Sequence, residues 1–260
     1  VHDYQHICPR INLVGPSSVY CGEPDERTCR RCLKIRVRGI ENPNIADIHA
    51  WRVRQASLLE GARRVIVPDQ DVMDRLSYYY PHAHYLVRPH EDPAIFPPSS
   101  ASRSGRRGPV RIVVPGAIST VKGYDIVLAA ARAAKRARLP LELIVMGYTR
   151  RDKELASVGV KITGRYWDEN AGDTLREIDA DMAWVPSVWP ETYCYALSIP
   201  LKAGLPVAAF DLGAQASRLR CHGGDHLLLS IEFARKPQEL IAVLHQFASA
   251  RRRPCQKLAA

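Results

Sequence analysis

The sequence predicts an α/β protein built on a doubly wound parallel sheet. Short apolar runs typical of buried strands, such as VRIVV at 110–114 and LELIVM at 141–146, alternate with segments of helical length and periodicity. Glycine, proline or serine follows several of these runs, which is typical of the carboxyl end of a strand. Strands separated by helices form parallel sheets, whose ligands bind beyond the carboxyl ends of the strands. Functional residues are therefore expected directly after each predicted strand.

The expected elements alternate along most of the chain, and residues 1–40 are expected to be loop-rich. Strands are predicted at 62–68, 85–87, 110–114, 141–146, 160–163, 182–185 and 206–210. Helices are predicted at 45–59, 71–80, 125–138, 171–178, 195–203 and 236–250. A turn at 115–123 joins the first strand of the second half to its helix.

Composition excludes several classes of protein. The chain has 260 residues, of which 46% are apolar and 25% charged. These values exclude a disordered tail, a collagen-like repeat and a disulfide-dense toxin. No run of about 18 apolar residues is present, so no transmembrane helix is expected. Lys and Arg outnumber Asp and Glu by 37 to 27, and a charge of +10 attracts nucleic acids, nucleotide diphosphates or acidic lipid headgroups.

Two domains are expected. Residues 99–108 have the composition of a linker, rich in Ser, Gly and Arg. They separate residues 1–98 from a domain at 109–250, which is followed by a basic tail at 251–260. The first residue is Val, and the sequence contains no recognisable signal peptide. We therefore expect a cytoplasmic fragment of a longer polypeptide, whose missing N-terminal segment can carry part of the site.

Four of the seven cysteines lie in a cysteine-rich loop at 8–32. Cys29 and Cys32 have the C-x-x-C spacing found at one corner of a zinc site, and Cys8 and Cys21 supply two more thiols. The separation of Cys8 and Cys21 is not that of a standard zinc knuckle. Structural zinc, four reduced thiols and a disulfide all remain open, although the lack of a secretion signal disfavours the disulfide.

Two segments after predicted strands carry groups suited to an anionic ligand. GAISTVKG at 116–123 offers a glycine backbone and the charge of Lys122 at the start of a helix. It is not a Walker A loop, because no Gly-Lys-Ser/Thr follows. PETYCYALS at 190–198 places Glu191 and several backbone N–H groups at another helix start. Taken alone, the first segment is more typical of a simple turn, and Glu191 is equally typical of a first-turn acid.

The ordered set of motifs is more specific than any one of them. GAISTVKG, LIVMG, ITGRY, VPSVWPETYCYALS and KAGLPVAAFDLGA follow one another at spacings that resemble the C-terminal, donor-binding domain of family 4 glycosyltransferases with the GT-B fold. VHDY at the start and RRVIVPDQDVMDRL resemble the late part of the acceptor-binding domain of the same enzymes. The resemblance spans nearly the whole chain and implies two Rossmann-like domains, the first of them partial.

The resemblance implies roles for individual residues. Lys122 matches the lysine that binds the donor diphosphate, and Glu191 matches the first of two paired glutamates, near the donor sugar. His2 matches an acceptor-domain histidine near the reacting centre. The positions matched to the phosphates of the donor nucleotide are Gly116, Thr192, Tyr193 and Cys194. The positions matched to the lining of the nucleotide base are Arg165 and Tyr166.

The resemblance also implies an activity, the transfer of a hexose from a nucleotide-diphosphate sugar with retention of its anomeric configuration. UDP, GDP and dTDP are the candidate nucleotides. No metal ion is expected in catalysis, because Lys122 and helix N–H groups can stabilise the leaving diphosphate. The implied acceptor is a glycan or lipid-linked saccharide of cell-surface polysaccharide synthesis. Such an acceptor lies at the inner membrane face, to which basic residues are attracted.

Two positions depart from the family pattern. Ala117 replaces an arginine that clamps the diphosphate, and Ile199 replaces the second glutamate, which holds the ribose. Isoleucine cannot accept a hydroxyl hydrogen bond, so roughly 1.5–3 kcal/mol of donor binding is lost there. A degenerate glycosyltransferase-like scaffold is therefore an alternative. A zinc-containing basic nucleic-acid-binding protein is another, but no nucleic-acid-binding motif is recognisable and no nucleic-acid partner is expected.

Overall fold

The computed structural model describes residues 1–37, 39–40, 44–45, 47–90 and 107–252. Its helices are α1 Glu26–Leu33, α2 Ile48–Glu60, α3 Gln70–Tyr79, α4 Tyr124–Arg136, α5 Asp152–Ser157, α6 Ala171–Ile178, α7 Tyr195–Lys202, α8 Gly213–His222 and α9 Pro237–Ala250. Its strands are β1 Val65–Val67, β2 Tyr85–Val87, β3 Val110–Ile118, β4 Leu141–Thr149, β5 Lys161–Ile162, β6 Met182–Val185, β7 Val207–Phe210 and β8 Leu227–Leu229. Most of the predicted linker and basic tail, residues 99–106 and 253–260, lies outside the described residues.

Six strands form one parallel sheet in the order β5-β4-β3-β6-β7-β8. Counted from β3, this is the 3-2-1-4-5-6 order of a Rossmann fold, so the predicted doubly wound sheet is confirmed. The strand order reverses between β3 and β6. In sheets of this kind, ligands bind in the crevice beyond the carboxyl ends of those two strands.

Apolar side chains cover both faces of this sheet. On one face, α4 and α9 contribute Val127 and Leu244 to a core that also contains Val145 of β4. On the other face, Leu197 of α7 and Leu219 of α8 pack against the opposite side of the sheet. Burial on two faces explains why the central strands are nearly continuous apolar runs without regular alternation. No helix in the described ranges is long and apolar enough to cross a membrane.

A smaller unit precedes the six-stranded sheet. Strands β1 and β2 pair in parallel with Val65 opposite Tyr85, and helices α2 and α3 accompany them. A separate apolar core holds this unit together. That core also contains Trp189 from the loop after β6, whose ring lies edge-on to Tyr4 with the two centroids 6.3 Å apart. Trp189 therefore anchors the loop of one unit in the core of the other.

The structure corrects the turn predicted at 115–123. Strand β3 continues to Ile118 because its parallel ladder with β4 extends that far, so Gly116 lies in a strand. Pro115 has no backbone N–H, but it is tolerated inside β3. The ladder between β3 and β6 ends at Val113, so no hydrogen bond to β6 is required of residue 115.

Helices α1, α5 and α8 and strand β8 were not expected from the sequence. Helix α1 forms inside the cysteine-rich loop, where the Asp25 carboxylate caps it by accepting a hydrogen bond of 2.7 Å from Thr28 N. Helix α8 is mostly polar, and its helical conformation depends on the tertiary packing of residues such as Leu219. Strand β8 has only three residues, which is too short for a periodic pattern.

Two glycines allow the loop at 186–194 to approach the rest of the sheet closely. Gly123 has a φ of +87°, and a Cβ there would lie 2.2 Å from the carbonyl oxygen of Pro186. Gly213 has a φ of +63°, and a Cβ there would lie 2.4 Å from Pro190 Cα. Both contacts are with backbone, which cannot move aside as a flexible side chain can. Glycine is therefore required at both positions.

We expect Gly213→Ala to destabilise the fold more than Gly159→Ala does. Both residues have a positive φ, so alanine costs about 1–2 kcal/mol of backbone strain at either position. Only at Gly213 does the new methyl group also meet backbone, which should cost about 1–3 kcal/mol more. Urea unfolding followed by tryptophan fluorescence measures the difference. Equal losses of unfolding free energy in the two variants would contradict the close approach at Pro190.

Candidate functional site

A lysine and a buried glutamate meet where the strand order reverses. Lys122 lies in the loop after β3 and Glu191 in the loop after β6. The Lys122 Nζ atom is 3.1 Å from Glu191 Oε2. The Glu191 side chain is only 5% exposed, whereas that of Lys122 is 34% exposed. A buried carboxylate requires a charged or hydrogen-bonding partner, and Lys122 supplies the charge.

Neighbouring polar groups fix the position of Glu191. The Ser187 hydroxyl donates a hydrogen bond to Glu191 Oε1. The Gln215 side-chain oxygen accepts from Glu191 N at 3.1 Å, and its amide nitrogen donates to the carbonyl oxygen of Trp189 at 2.9 Å. Sequence reasoning missed both residues. Ser187 follows a predicted strand and could have been found by that signal, whereas Gln215 belongs to the unexpected helix α8.

The ion pair changes the titration of Lys122. Burial lowers the pKa of the Lys122 ammonium, but the negative charge of Glu191 outweighs burial, and the pKa is raised above its ordinary value of 10.5. Lys122 is therefore charged at neutral pH. Because folding raises this pKa, the stabilisation is present below pH 10.5 and is lost only as the pH rises through the raised value.

The amino ends of two helices border the same crevice. Helix α4 begins after Gly123, and α7 begins after Cys194, which has a left-handed φ of +65°. Arg218 holds this turn by donating to the carbonyl oxygens of Tyr193 and Cys194, both at 3.0 Å. Burial, followed by the charge of Glu191, raises the pKa of the Cys194 thiol, so this side chain is neutral at neutral pH. Helix amino ends attract anions, so the crevice is suited to a phosphate group.

Two predicted site residues, Gly116 and His2, contact their neighbours through the backbone. A Cβ on Gly116 would lie 3.3 Å from Ala196 Cβ, so the glycine allows α7 to pack closely on β3. The carbonyl oxygen of His2 accepts a hydrogen bond of 2.8 Å from Thr192 Oγ1, next to Glu191. The imidazole of His2 is 84% exposed and lies 3.5 Å from the Asp3 carboxylate. The structure therefore brings the backbone of His2 to the loop that carries Glu191.

Three aromatic rings stand beside this loop. His90 of the smaller unit stacks on Tyr195 with centroids 5.7 Å apart and meets Tyr193 edge-on at 5.1 Å. The rings of Tyr193 and Tyr195 are 5.0 Å apart. Tyr195 is 58% exposed, so part of its ring remains open to solvent. This cluster was not predicted, because its members come from both units.

Arg165 and Tyr166 line an open pocket of about 390 Å³ after β5, together with Thr163, Asn170 and Thr174. The Arg165 guanidinium lies 4.4 Å from the centroid of the Tyr148 ring. Burial, followed by the charge of Asp168, raises the pKa of Tyr166. Tyr166 also packs against the apolar core that contains Cys194, three residues after Glu191.

The four cysteines at 8–32 are half-buried and free of disulfide bonds. Within the part of the chain that the structure describes, no group of three or more His, Cys, Asp or Glu side chains is arranged to hold a metal ion. The zinc site at Cys8, Cys21, Cys29 and Cys32 therefore stays a prediction.

Comparison with solved structures shows which fold this is. The chain is similar to the pneumococcal O-GlcNAc transferase GtfA in complex with UDP and GlcNAc, with a TM-score of 0.52 and 16% identity over 78% of this chain and 45% of that one. It is similar to a mutant of S. aureus TarM in complex with fondaparinux, α-GlcNAc-glycerol and UDP, with a TM-score of 0.54 and 13% identity over 81% and 44%. It is also similar to Anabaena HepE in complex with UDP, with a TM-score of 0.53 and 17% identity over 78% of this chain and 60% of that one.

At these identities the likeness shows the fold alone, which is the GT-B fold of glycosyltransferases. The chain spans less than two thirds of the length of each of these three structures. No protein-family profile matches the sequence, and no curated protein matches it significantly.

We expect Glu191→Gln to lower the pKa of Lys122. The substitution removes the charge that raises this pKa and leaves the burial that lowers it. A pH titration of ¹⁵N-labelled lysine side chains by NMR measures the change. Glu142→Gln is the matched control, since Glu142 pairs with the exposed Lys161 at 3.1 Å. An unchanged Lys122 pKa in Glu191→Gln would show that the two side chains are not paired in solution.

Proposed function

We propose that this chain carries the donor site of a retaining glycosyltransferase that moves a hexose from a nucleotide-diphosphate sugar to a glycan or lipid-linked acceptor. The observation that carries the proposal is the ion pair between Lys122 and Glu191 at the point where the strand order reverses. Lys122 Nζ lies 3.1 Å from Glu191 Oε2. It provides a cation for a diphosphate and a carboxylate for sugar hydroxyls in one crevice. The amino ends of α4 and α7 border that crevice.

Lys122 and the helix ends are proposed to stabilise the leaving group. Breaking the bond between sugar and diphosphate increases negative charge on the diphosphate oxygens. A fixed ammonium and oriented N–H groups stabilise that charge without reorganising during the reaction. The backbone at Thr192, Tyr193 and Cys194 leads into α7, and Arg218 holds the last two of these residues in place.

Glu191 is proposed to orient the donor sugar. Its carboxylate is held by Ser187 and Lys122, so it can accept sugar hydroxyls from a defined direction. His2 is proposed to act on the acceptor side, because Thr192 holds its backbone at the Glu191 loop while its imidazole stays exposed.

The pocket at Arg165 and Tyr166 is proposed to bind the nucleotide base. UDP is the first nucleotide to test, since GtfA, TarM and HepE were each crystallised with it.

The degenerate scaffold remains the second candidate, and two observations favour it. Ala117 is exposed after Gly116 and offers no charge to a diphosphate. Ile199 packs against the apolar core that includes Leu197, where a ribose-binding carboxylate would be expected. The two candidates differ in whether the crevice binds a nucleotide.

We expect the chain to bind UDP, GDP or dTDP and Lys122→Ala to weaken that binding about 10- to 100-fold, the usual effect of losing a charged hydrogen-bond donor. Isothermal titration calorimetry measures both. Lys161→Ala, which removes an exposed lysine on β5, should leave the affinity unchanged. Equal affinities for the chain and Lys122→Ala would contradict the site. No binding of any nucleotide would favour the scaffold, and salt-sensitive binding of DNA or RNA instead would favour the nucleic-acid binder.

We expect Ile199→Glu to strengthen UDP binding about tenfold by adding an acceptor for the ribose hydroxyls. The gain should be smaller for dTDP, which lacks the 2′-hydroxyl. Calorimetry of the variant with both nucleotides measures the difference, and Ile199→Leu controls for repacking of the core. Equal gains for UDP and dTDP would contradict a ribose at this position.

A further inference from the structure

One aromatic ring is exposed at the end of a segment that is otherwise buried. Every residue from Val185 to Cys194 is buried, whereas Tyr195, which begins α7, is 58% exposed. Single exposed apolar side chains are common on protein surfaces, and Tyr78 of α3, 82% exposed, is an example. Tyr195 differs from Tyr78 in its position, because it stands at the amino end of a helix that borders the crevice.

Helix α8 fixes the exposed ring relative to the ion pair. At the start of α8, Ala214 N donates a hydrogen bond of 2.8 Å to the carbonyl oxygen of Glu191. One turn later, the Arg218 guanidinium donates to the carbonyl oxygens of Tyr193 and Cys194, both at 3.0 Å. The backbone that leads from the carboxylate to the exposed ring is therefore held at two points by one helix.

Neighbouring side chains hold the exposed ring in place. His90 of the smaller unit lies nearly parallel to Tyr195, with 16° between the two ring planes, and Tyr193 meets Tyr195 at 63°. The Arg218 guanidinium lies 4.1 Å from the centroid of the Tyr193 ring, and Tyr193 is only 5% exposed. Tyr193 thus serves as support, and Tyr195 keeps an open surface. A ring that is already fixed by packing loses little conformational freedom when a ligand binds to it.

A pyranose ring has the chemistry that an open aromatic face recognises. The C–H groups of a sugar carry partial positive charge, and the face of an aromatic ring is negative. The sugar hydroxyls point outward around the rim and remain available to polar groups. The imidazole of His2, 84% exposed, is one such group, and Thr192 holds the His2 backbone next to Tyr193.

A nucleotide base also stacks on aromatic rings, but the order of the strands favours a sugar. The pocket at Arg165 and Tyr166 follows β5, Lys122 follows β3, and Glu191 and Tyr195 follow β6. In the sheet, β3 lies between β5 and β6, and three strand spacings separate the outer two by roughly 14 Å. The exposed ring is therefore on the far side of Lys122 from the pocket proposed for the base.

We propose that Tyr195, supported by His90, forms a stacking surface for a pyranose ring of the acceptor. The acceptor class is then a saccharide, and not a protein side chain or a lipid phosphate without sugar. The ring face comes from the six-stranded unit and its support from the smaller unit, so the surface exists only where the two units meet. That this saccharide is the acceptor rests on the proposed function, whereas its stacking on Tyr195 does not.

Titration of the chain with the methyl β-glycosides of glucose, galactose and N-acetylglucosamine, without nucleotide, tests this surface. In ¹H–¹³C NMR spectra of the chain with labelled tyrosine rings, the Tyr195 signal is the one absent from Tyr195→Phe. We expect at least one glycoside to shift this signal and sorbitol, an acyclic polyol, to leave it unchanged. This measurement requires no alanine variant to fold.

Variants then separate stacking from other contacts. Tyr195→Ala should weaken binding of that glycoside about tenfold, measured by saturation transfer to the sugar protons, and Tyr195→Phe should keep the affinity within about twofold. Tyr78→Ala is the matched control, since it removes an exposed tyrosine that also packs edge-on against another tyrosine, and it should bind as the unmutated chain does.

Three results would overturn the inference. The first is that no glycoside shifts the Tyr195 signal, the second is equal affinity of Tyr195→Ala and the unmutated chain, and the third is a shift caused by UDP and by no glycoside. Nucleotide binding is measured separately. UDP binding that depends on Lys122, without glycoside binding at Tyr195, overturns this inference and leaves the donor site intact. Glycoside binding at Tyr195 without nucleotide binding supports the stacking surface and contradicts the donor site.

Discussion

The site depends on the close passage of the loop after β6 between two glycines. Gly123 and Gly213 have no side chain where Pro186 and Pro190 approach, so the loop can lie directly against the backbone of its neighbours. Val188 N also donates a hydrogen bond of 3.0 Å to the carbonyl oxygen of Val121, next to Lys122. The two loops that carry the ion pair are thus joined by their backbones, and the side chains meet because of that arrangement.

The ion pair is a weak argument for stability and a stronger one for function. Removing a carboxylate such as Glu191 from water is unfavourable by several kcal/mol, and pairing with Lys122 at best offsets this. An apolar pair of similar volume would stabilise the sheet as well. Charged groups with shifted pKa values are enriched at functional sites, and this pair lies in the crevice at the strand reversal, where sheets of this kind bind ligands.

Most of the sheet was predictable because each strand is a local apolar run with a turn signal after it. Helix α6 and strand β6 have the predicted bounds. The length of β3 was not predictable, because it depends on the ladder with β4, which is distant in sequence. Lys122 and Glu191 were singled out from the sequence because each follows a predicted strand. Gln215 was missed because its helix is polar and forms through tertiary packing, and the ring cluster of His90 was missed because it joins two units.

Lys122 already has a negatively charged neighbour before any ligand arrives. Binding of an anionic ligand is therefore an exchange of counter-ions, in which the ligand's oxygens and the carboxylate of Glu191 compete for one ammonium group. The affinity of the chain for such a ligand then depends on the difference between two interactions of Lys122, one with the ligand and one with Glu191, and not on the strength of either alone. A carboxylate displaced in this exchange is left with unused acceptor capacity, which is free for any hydroxyl group that the ligand places beside it.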